Sequence, residues 1–323
     1  MPEFMRRRRE AYRLQTGEEP RPGAILRFAH YTSATAAMSI IAEKRMWMRN
    51  TNCMTDYSEI QHGYAELLKL FHKENPDRQR FLEAIENCSP GAATQAITLF
   101  DKWFEDTRLN TYITSMSEHL VSEQDASEDL YGRLSMWRAF GGNAARVAII
   151  FKIPYQTPAA IALNIIFSPV SYLTEPEIQD VFREVIGNIN REQEFLRSVS
   201  QHELVATVFI MLISSVTCLK HRGFHEEREW RVVYAPMRQS SPFITRMTRE
   251  VAGVPQPVYQ LPLDKSVSPI LKDIDLPQMF DRLIIGPSPY PWPIYQAFVD
   301  ILTRAGVPDA SERVWASRIP IRA

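Results

Sequence analysis

Three cysteines in 323 residues, Cys53, Cys88 and Cys218, are too few and too widely spaced for a disulfide framework, and without CxxC spacing they offer no cysteine zinc site. That usage suits a reducing cytoplasm. An excess of one charge is also lacking. With 37 Lys and Arg against 38 Asp and Glu, the formal net charge is −1, which excludes a global polycation for nucleic acid and leaves any polyanion site local. No apolar run is long enough for a bilayer: "LVATVFIMLISSVTCL", at 204–219, falls short of the ~20 residues required and carries several Ser and Thr, so it reads as a buried core helix. The start, "MPEFMRRRRE", lacks the apolar stretch a signal peptide needs after its basic residues. Neither GxGxxG nor GxxxxGK[ST] occurs, so neither a Rossmann dinucleotide site nor a P-loop is supported.

What is present is ordinary globular composition, 45% hydrophobic and 23% charged, enough for a full core in one large domain or two fused lobes. Residues 1–22 are expected to be a disordered or vector-derived lead, with "MPEF" before Met5 reading as a cloning scar. Residues 23–323 are expected to form a single α+β catalytic-like domain, with a helical insert at about 57–110 and a helical region at about 175–219. In the insert, Asp56 and Glu59 read as a capping box, followed by Ile60, Tyr64, Leu67 and Phe71 at helical spacing. "AILRFAHYTS", "NTYITSMSE", "VYQLPL" and "FDRLII" read as strands; "LYGRLSMWRAFGG" reads as a helix stopped by Gly141 and Gly142 before the apolar strand "RVAIIFKI".

The densest charge lies in "KHRGFHEEREWRVVY", residues 220–234. Read as a strand, it puts Glu227, Glu229, Arg231 and Val233 on one face and Arg228, Trp230, Val232 and Tyr234 on the other. The plain reading is a sheet-edge strand whose charges pair in water, each pair contributing ~0–1 kcal/mol. His221 and His225 have the i, i+4 spacing of zinc ligands, but Gly223 between them weakens a helix and the order is not HExxH, so no metal site is expected. Other short polar motifs fall where strands end: His30-Tyr31-Thr32-Ser33, Arg49-Asn50-Thr51-Asn52, Thr114-Ser115-Met116-Ser117 and Met136-Trp137. Each has a structural alternative. His30 can cap a turn, Tyr31, Trp47 and Trp137 can be core aromatics, and Arg49 can cover an apolar patch with its stem.

Taken in order, "HYTS", "N..MTDYSE", the serine-rich strand, "MW" and "K...F..EREWR" resemble a large, mostly bacterial family catalogued as domain of unknown function 2971. That family is in turn distantly similar to ADP-ribosyltransferases, especially nucleic-acid-modifying toxins. The second resemblance implies a central, mostly antiparallel split sheet of the ADP-ribosyltransferase type with large helical insertions. It also implies an NAD-consuming transferase of toxin or phage-defence type, with NAD as substrate, no tightly bound cofactor, and a nucleic acid or protein as acceptor. On this reading Glu229 is the leading catalytic carboxylate and Glu227 the second, with Arg49 on the pyrophosphate. His30 and Thr32 hold a ribose, Tyr31 or Trp137 stacks on a flat ring, and Asn50 and Ser115 complete the NAD contacts. Tyr31 between His and Thr, the competing glutamates and the size of the insert depart from the transferase pattern. The rival reading is a non-enzymatic interaction module of a defence or toxin-antitoxin system, docking a partner through the charged strand.

Overall fold

The computed structural model describes residues 2–21, 24–53, 57–107, 110–120, 127–139, 145–154, 157–237, 239–251 and 253–320. Its first element departs from the disorder expected of the lead: helix α1 (Pro2–Thr16) buries Phe4, Ala11 and Tyr12. The apolar face is narrow and lies under a run of arginines, one of which, Arg6, pairs with Glu184 far along the chain. The capping residues Asp56 and Glu59 and the stop at Gly141 and Gly142 lie outside what is described for backbone or side chain.

After α1, the strand β1 (Ile25–Ser33) ends where the Ser33 hydroxyl accepts from the Ala36 amide and caps α2 (Ala34–Glu43). Then follow β2 (Arg45–Asn50) and the helical insert α3 (Tyr57–Leu70), α4 (Pro76–Glu86) and α5 (Ala92–Thr107). Strand β3 (Tyr112–Glu118) leads to two short helices, α6 (Ser127–Tyr131) and α7 (Leu134–Ala139), and then to β4 (Arg146–Pro154). The segment expected as one helix is broken because Gly132 adopts a φ of 70°. Next come α8 (Pro158–Ala162), β5 (Ile166–Pro169), β6 (Ser171–Tyr172), α9 (Glu175–Arg191), α10 (Gln193–Ser198) and α11 (Gln201–Thr217). The chain finishes with β7 (Leu219–Lys220), β8 (Glu229–Tyr234), β9 (Thr245–Val251), β10 (Val254–Pro262), α12 (Leu276–Met279), β11 (Phe280–Ile285), α13 (Pro291–Arg304) and β12 (Val314–Ala316). Helix α11 is apolar because it is buried by α3 and α5, and Gly63 permits that approach: a Cβ there would meet the Val216 carbonyl oxygen at 2.4 Å. Among the described residues, no helix is long and apolar enough to cross a membrane.

The fold is α+β around a ten-stranded sheet ordered β12-β11-β4-β1-β3-β2-β10-β9, with β8 along β3 and β5 beyond it. The sheet is mixed rather than antiparallel, because α13 crosses over between β11 and β12 and brings β12 back parallel. One edge of β3 pairs with β8 over its length. The other is shared: β1 holds Ser117 and Glu118, β2 holds Tyr112 and Ile113, and residues 114–116 lie between them. The sheet forks there.

Register assigns the faces, since directly opposed residues of antiparallel strands point the same way. Glu229, Arg231 and Val233 share a face with Ser117, Ser115 and Ile113, and Ala29 and Arg49 belong to it. Ile113 and Val233 are covered by the helical core of α3, α4, α5, α9 and α11. Ala29 and Tyr31 are covered by Met136 and Trp137 of α7. The serines and the Glu229–Arg231 pair lie between these two apolar clusters. On the opposite face Phe28, Met116, Trp230, Val232 and Tyr234 build the main core with α2 and α13.

Candidate functional site

Glu229 opens β8 and is 4% exposed, Arg231 3%, so this is no sheet-edge pair in water. The Arg231 guanidinium forks onto the carboxylate, Nε donating to Oε1 at 2.8 Å and Nη2 to Oε2 at 3.1 Å. Its remaining terminal nitrogen, Nη1, donates to the Thr217 carbonyl at 2.7 Å, at the C-terminal end of α11 where a cation is favoured. Ser115 donates its hydroxyl to Glu229 Oε1 at 2.5 Å, and the Lys220 ammonium lies 3.5 Å from Oε2. Burial pushes the Glu229 carboxyl upward. Arg231 and Lys220, with the hydrogen bonds of Arg231 and Ser115, outweigh it and hold the group at about 2. It is therefore an anion at neutral pH, aimed by three partners, Arg231, Lys220 and Ser115.

Glu227 does not share this strand, which corrects the expectation that both glutamates lie on one strand face. It ends a 3-10 turn, Arg222–Glu227, and Arg228 then takes a left-handed conformation (φ 43°) before β8 begins. The two carboxylates nevertheless meet at Lys220, whose ammonium donates to Glu227 Oε2 at 2.6 Å. Lys220 is 2% exposed; it lies in the two-residue strand that follows α11, with its ammonium 4.6 Å from the Phe224 ring centroid.

The other predicted residues divide between the fork and the packing around it. At the fork, the His30 ring Nδ1 lies 2.9 Å from the Ser115 carbonyl oxygen, filling the gap where β1 leaves β3. Burial lowers its pKa and the bond to Ser115 opposes the shift. Because Ala29 and Tyr31 share the Glu229 face, His30 and Thr32 alternate onto the opposite one, and His30 reaches Glu229 only indirectly, through the Ser115 carbonyl. Thr32 lies half-buried further along β1. Arg49 shares the Glu229 face, but its partners are Gln256 Oε1 at 3.2 Å and the Cys53 carbonyl at 2.6 Å. Asn50 accepts from the Asn52 amide at 2.9 Å and shapes the turn after β2. Tyr31 and Trp137 are core aromatics. They pack edge to face at 4.8 Å, Trp137 is wedged against Gly132 and Gly286, and the Tyr31 hydroxyl, pushed up to about 12 by burial, accepts from the Arg133 amide. Their packing leaves the stacking role without a free ring face to support it.

Two positioning residues escaped the sequence reading. Arg133 donates to the carbonyls of Glu226, Glu227 and Glu118 and to the Glu128 carboxylate, all within 2.9 Å, clamping α6 and α7 onto the turn before β8. Tyr172 accepts from the Glu229 amide at 2.9 Å. The histidines of the turn are engaged locally: His221 accepts from the Gly223 amide, and His225 Nδ1 lies 3.1 Å from the Arg222 carbonyl. Among the described residues, no group of three His, Cys, Asp or Glu is arranged to hold a metal ion.

A family model described as a protein of unknown function (DUF2971) matches residues 136–232. That span includes Trp137, Lys220, Glu227, Glu229 and Arg231 and excludes His30, Arg49 and Ser115. No curated protein and no solved structure matches the chain.

Proposed function

We propose that this chain is an ADP-ribosyltransferase-like protein that consumes NAD, with Glu229 as the anion that faces the reacting ribose. The observation that carries the reading is a buried, ionised, multiply oriented carboxylate at the start of a strand beside a fork in the sheet. Loss of nicotinamide passes through an oxocarbenium-like ribose, and a fixed carboxylate stabilises that cation more than the neutral sugar it comes from. Arg231 and Lys220 keep the group charged, and Ser115 holds the oxygen that a ribose hydroxyl would approach. Arg49 lies on the same face, about 13 Å along β3 from Ser117 by four residue rises, a separation suited to the pyrophosphate of an extended dinucleotide. NAD is a substrate here, the acceptor a nucleic acid or protein, and the setting a toxin or phage-defence system.

The docking-module reading is weaker because β8 is buried along its length and paired on both edges, so it offers a partner protein neither edge nor exposed charge. The test is incubation with NAD labelled in the nicotinamide ring, alone and with DNA, RNA and protein acceptors. Release of label in any arm is expected; its absence in all of them contradicts the proposal.

A further inference from the structure

The large sheet ends in β9, whose outer edge is paired by no strand among the described residues. Its other edges are blunted by the devices proteins use against edge-to-edge association. β12 is three residues long, and β5 ends in Pro169 with its Phe167 carbonyl taken by the Arg8 guanidinium. Where β10 runs beyond β2 it carries Pro255 and Pro257. β9 is different: seven residues, no proline, and unbroken register with β10 from Thr245 opposite Gln260 to Val251 opposite Val254. Gln256, 2% exposed, fastens its end by donating to the Val251 carbonyl at 3.4 Å. The backbone polarity of the free edge follows from the register. Pro255 and Pro257 have no N–H to give β9, so the ladder runs through the residues that alternate with them, Gln256 to Arg249 and Val258 to Met247. Val251 and Val254 close a two-residue connection and belong to the same bonded set. The amides and carbonyls of Arg246, Thr248 and Glu250 therefore point away from β10, and all three residues are exposed.

We propose that β9 pairs antiparallel with β9 of a second copy of this chain, about a two-fold axis through Thr248, joining the two sheets into one. On that axis Arg246 stands opposite Glu250 of the partner subunit, Glu250 opposite Arg246 of the partner subunit, and Thr248 opposite its own counterpart. Among the described residues neither Arg246 nor Glu250 is engaged in an ion pair within its own chain. The three outward-pointing residues meet one another in this register, so each can exchange a full pair of backbone hydrogen bonds, about six in all. Met247 falls opposite Arg249, whose guanidinium is already held by Glu43 and lies 5.4 Å from the Trp47 ring centroid. Sliding the strands by two residues leaves Arg246 and Glu250 against Thr248 or past the strand end, and parallel pairing loses the charge match. Charge on the edge thus disfavours other strands and fits its own copy. The inference rests on the edge alone and is independent of the proposed NAD chemistry.

The test is sedimentation velocity of the purified full chain from ~1 to ~500 μM, a range set by the weak association expected of so small an interface. Wild type should pass reversibly from monomer to dimer. Thr248→Pro removes an outward amide and no bond to β10, so it should stay monomeric throughout while keeping the far-UV circular dichroism and melting temperature that wild type shows when dilute. Arg246→Glu and Glu250→Arg should each weaken self-association about tenfold, because each sets like charges opposite one another twice across the axis. Mixing these two variants should restore dimers of wild-type affinity, since every facing pair is then of opposite sign. A chain that is monomeric at ~500 μM, a dimer that survives Thr248→Pro, or reversed-charge variants that associate like wild type or fail to recover on mixing would overturn the assignment.

Discussion

Replacing Arg231 with Met tests whether the charged pair is as desolvated as its geometry requires. The guanidinium makes two bonds to the Glu229 carboxylate and one to the Thr217 carbonyl, all in a region where both charged residues are less than 5% exposed. Removing it leaves a buried carboxylate with Ser115 and a lysine at 3.5 Å, a loss that typically costs about 3–5 kcal/mol at neutral pH. The wild-type carboxyl is held at about 2 against an ordinary 4.5. Since its folded-state value is depressed, its contribution to stability, about 3 kcal/mol, is present above pH ~4.5 and lost as pH falls toward ~2. The gap between wild type and Arg231→Met should therefore be widest near pH 7 and narrow through the acid range, where the variant's carboxyl protonates first. Midpoints of urea unfolding at stepped pH measure this directly. The double variant Arg231→Met/Glu229→Leu should recover part of the loss at pH 7. A cost below ~1 kcal/mol, or one that does not change with pH, would refute the reasoning.

Gly63→Ala should lower thermal stability by about 1–3 kcal/mol, because the new methyl meets backbone of α11, which cannot swing aside. Tyr31→Phe should cost about 1–3 kcal/mol in the same assay by orphaning the Arg133 amide, with the aromatic contact to Trp137 kept. Millimolar NAD should raise the melting temperature, since a ligand at ~100 times its dissociation constant adds ~2.7 kcal/mol to the folded state. Arg49→Ala, compared with its own ligand-free melt, should show a smaller rise; equal rises would remove Arg49 from the phosphate site.

The elements legible in the sequence were those with a strong internal pattern. The near-continuous apolar run of β4 and the apolar core of helix α11 could be seen without neighbours, and so could the presence of a strand, β8, in the charged cluster. Glu227 was misplaced because the strand pattern was extended through Arg228, and nothing in the pattern announces a left-handed arginine. Helix α1 was hidden by its arginines, several of which find acidic partners outside the helix. Nothing in the sequence marks Lys220 as buried; only the return of β8 beside the end of α11 places it between two carboxylates. Arg133 carried no signal at all, because its role consists of carbonyls supplied by the turn before β8 and by the end of β3. The fork itself follows from register, and register is a property of the assembled sheet.

The central claim, that the Glu229 anion promotes cleavage of NAD, is tested most directly by nicotinamide release from wild type and Glu229→Gln at equal folded concentration. Glutamine keeps the shape and a hydrogen-bonding oxygen while removing the charge. Wild type is predicted to release nicotinamide and Glu229→Gln to release none above background, both to acceptor and to water, whereas Glu227→Gln keeps release to water and loses transfer. Full release from Glu229→Gln would contradict the account and make the charge at the head of β8 structural.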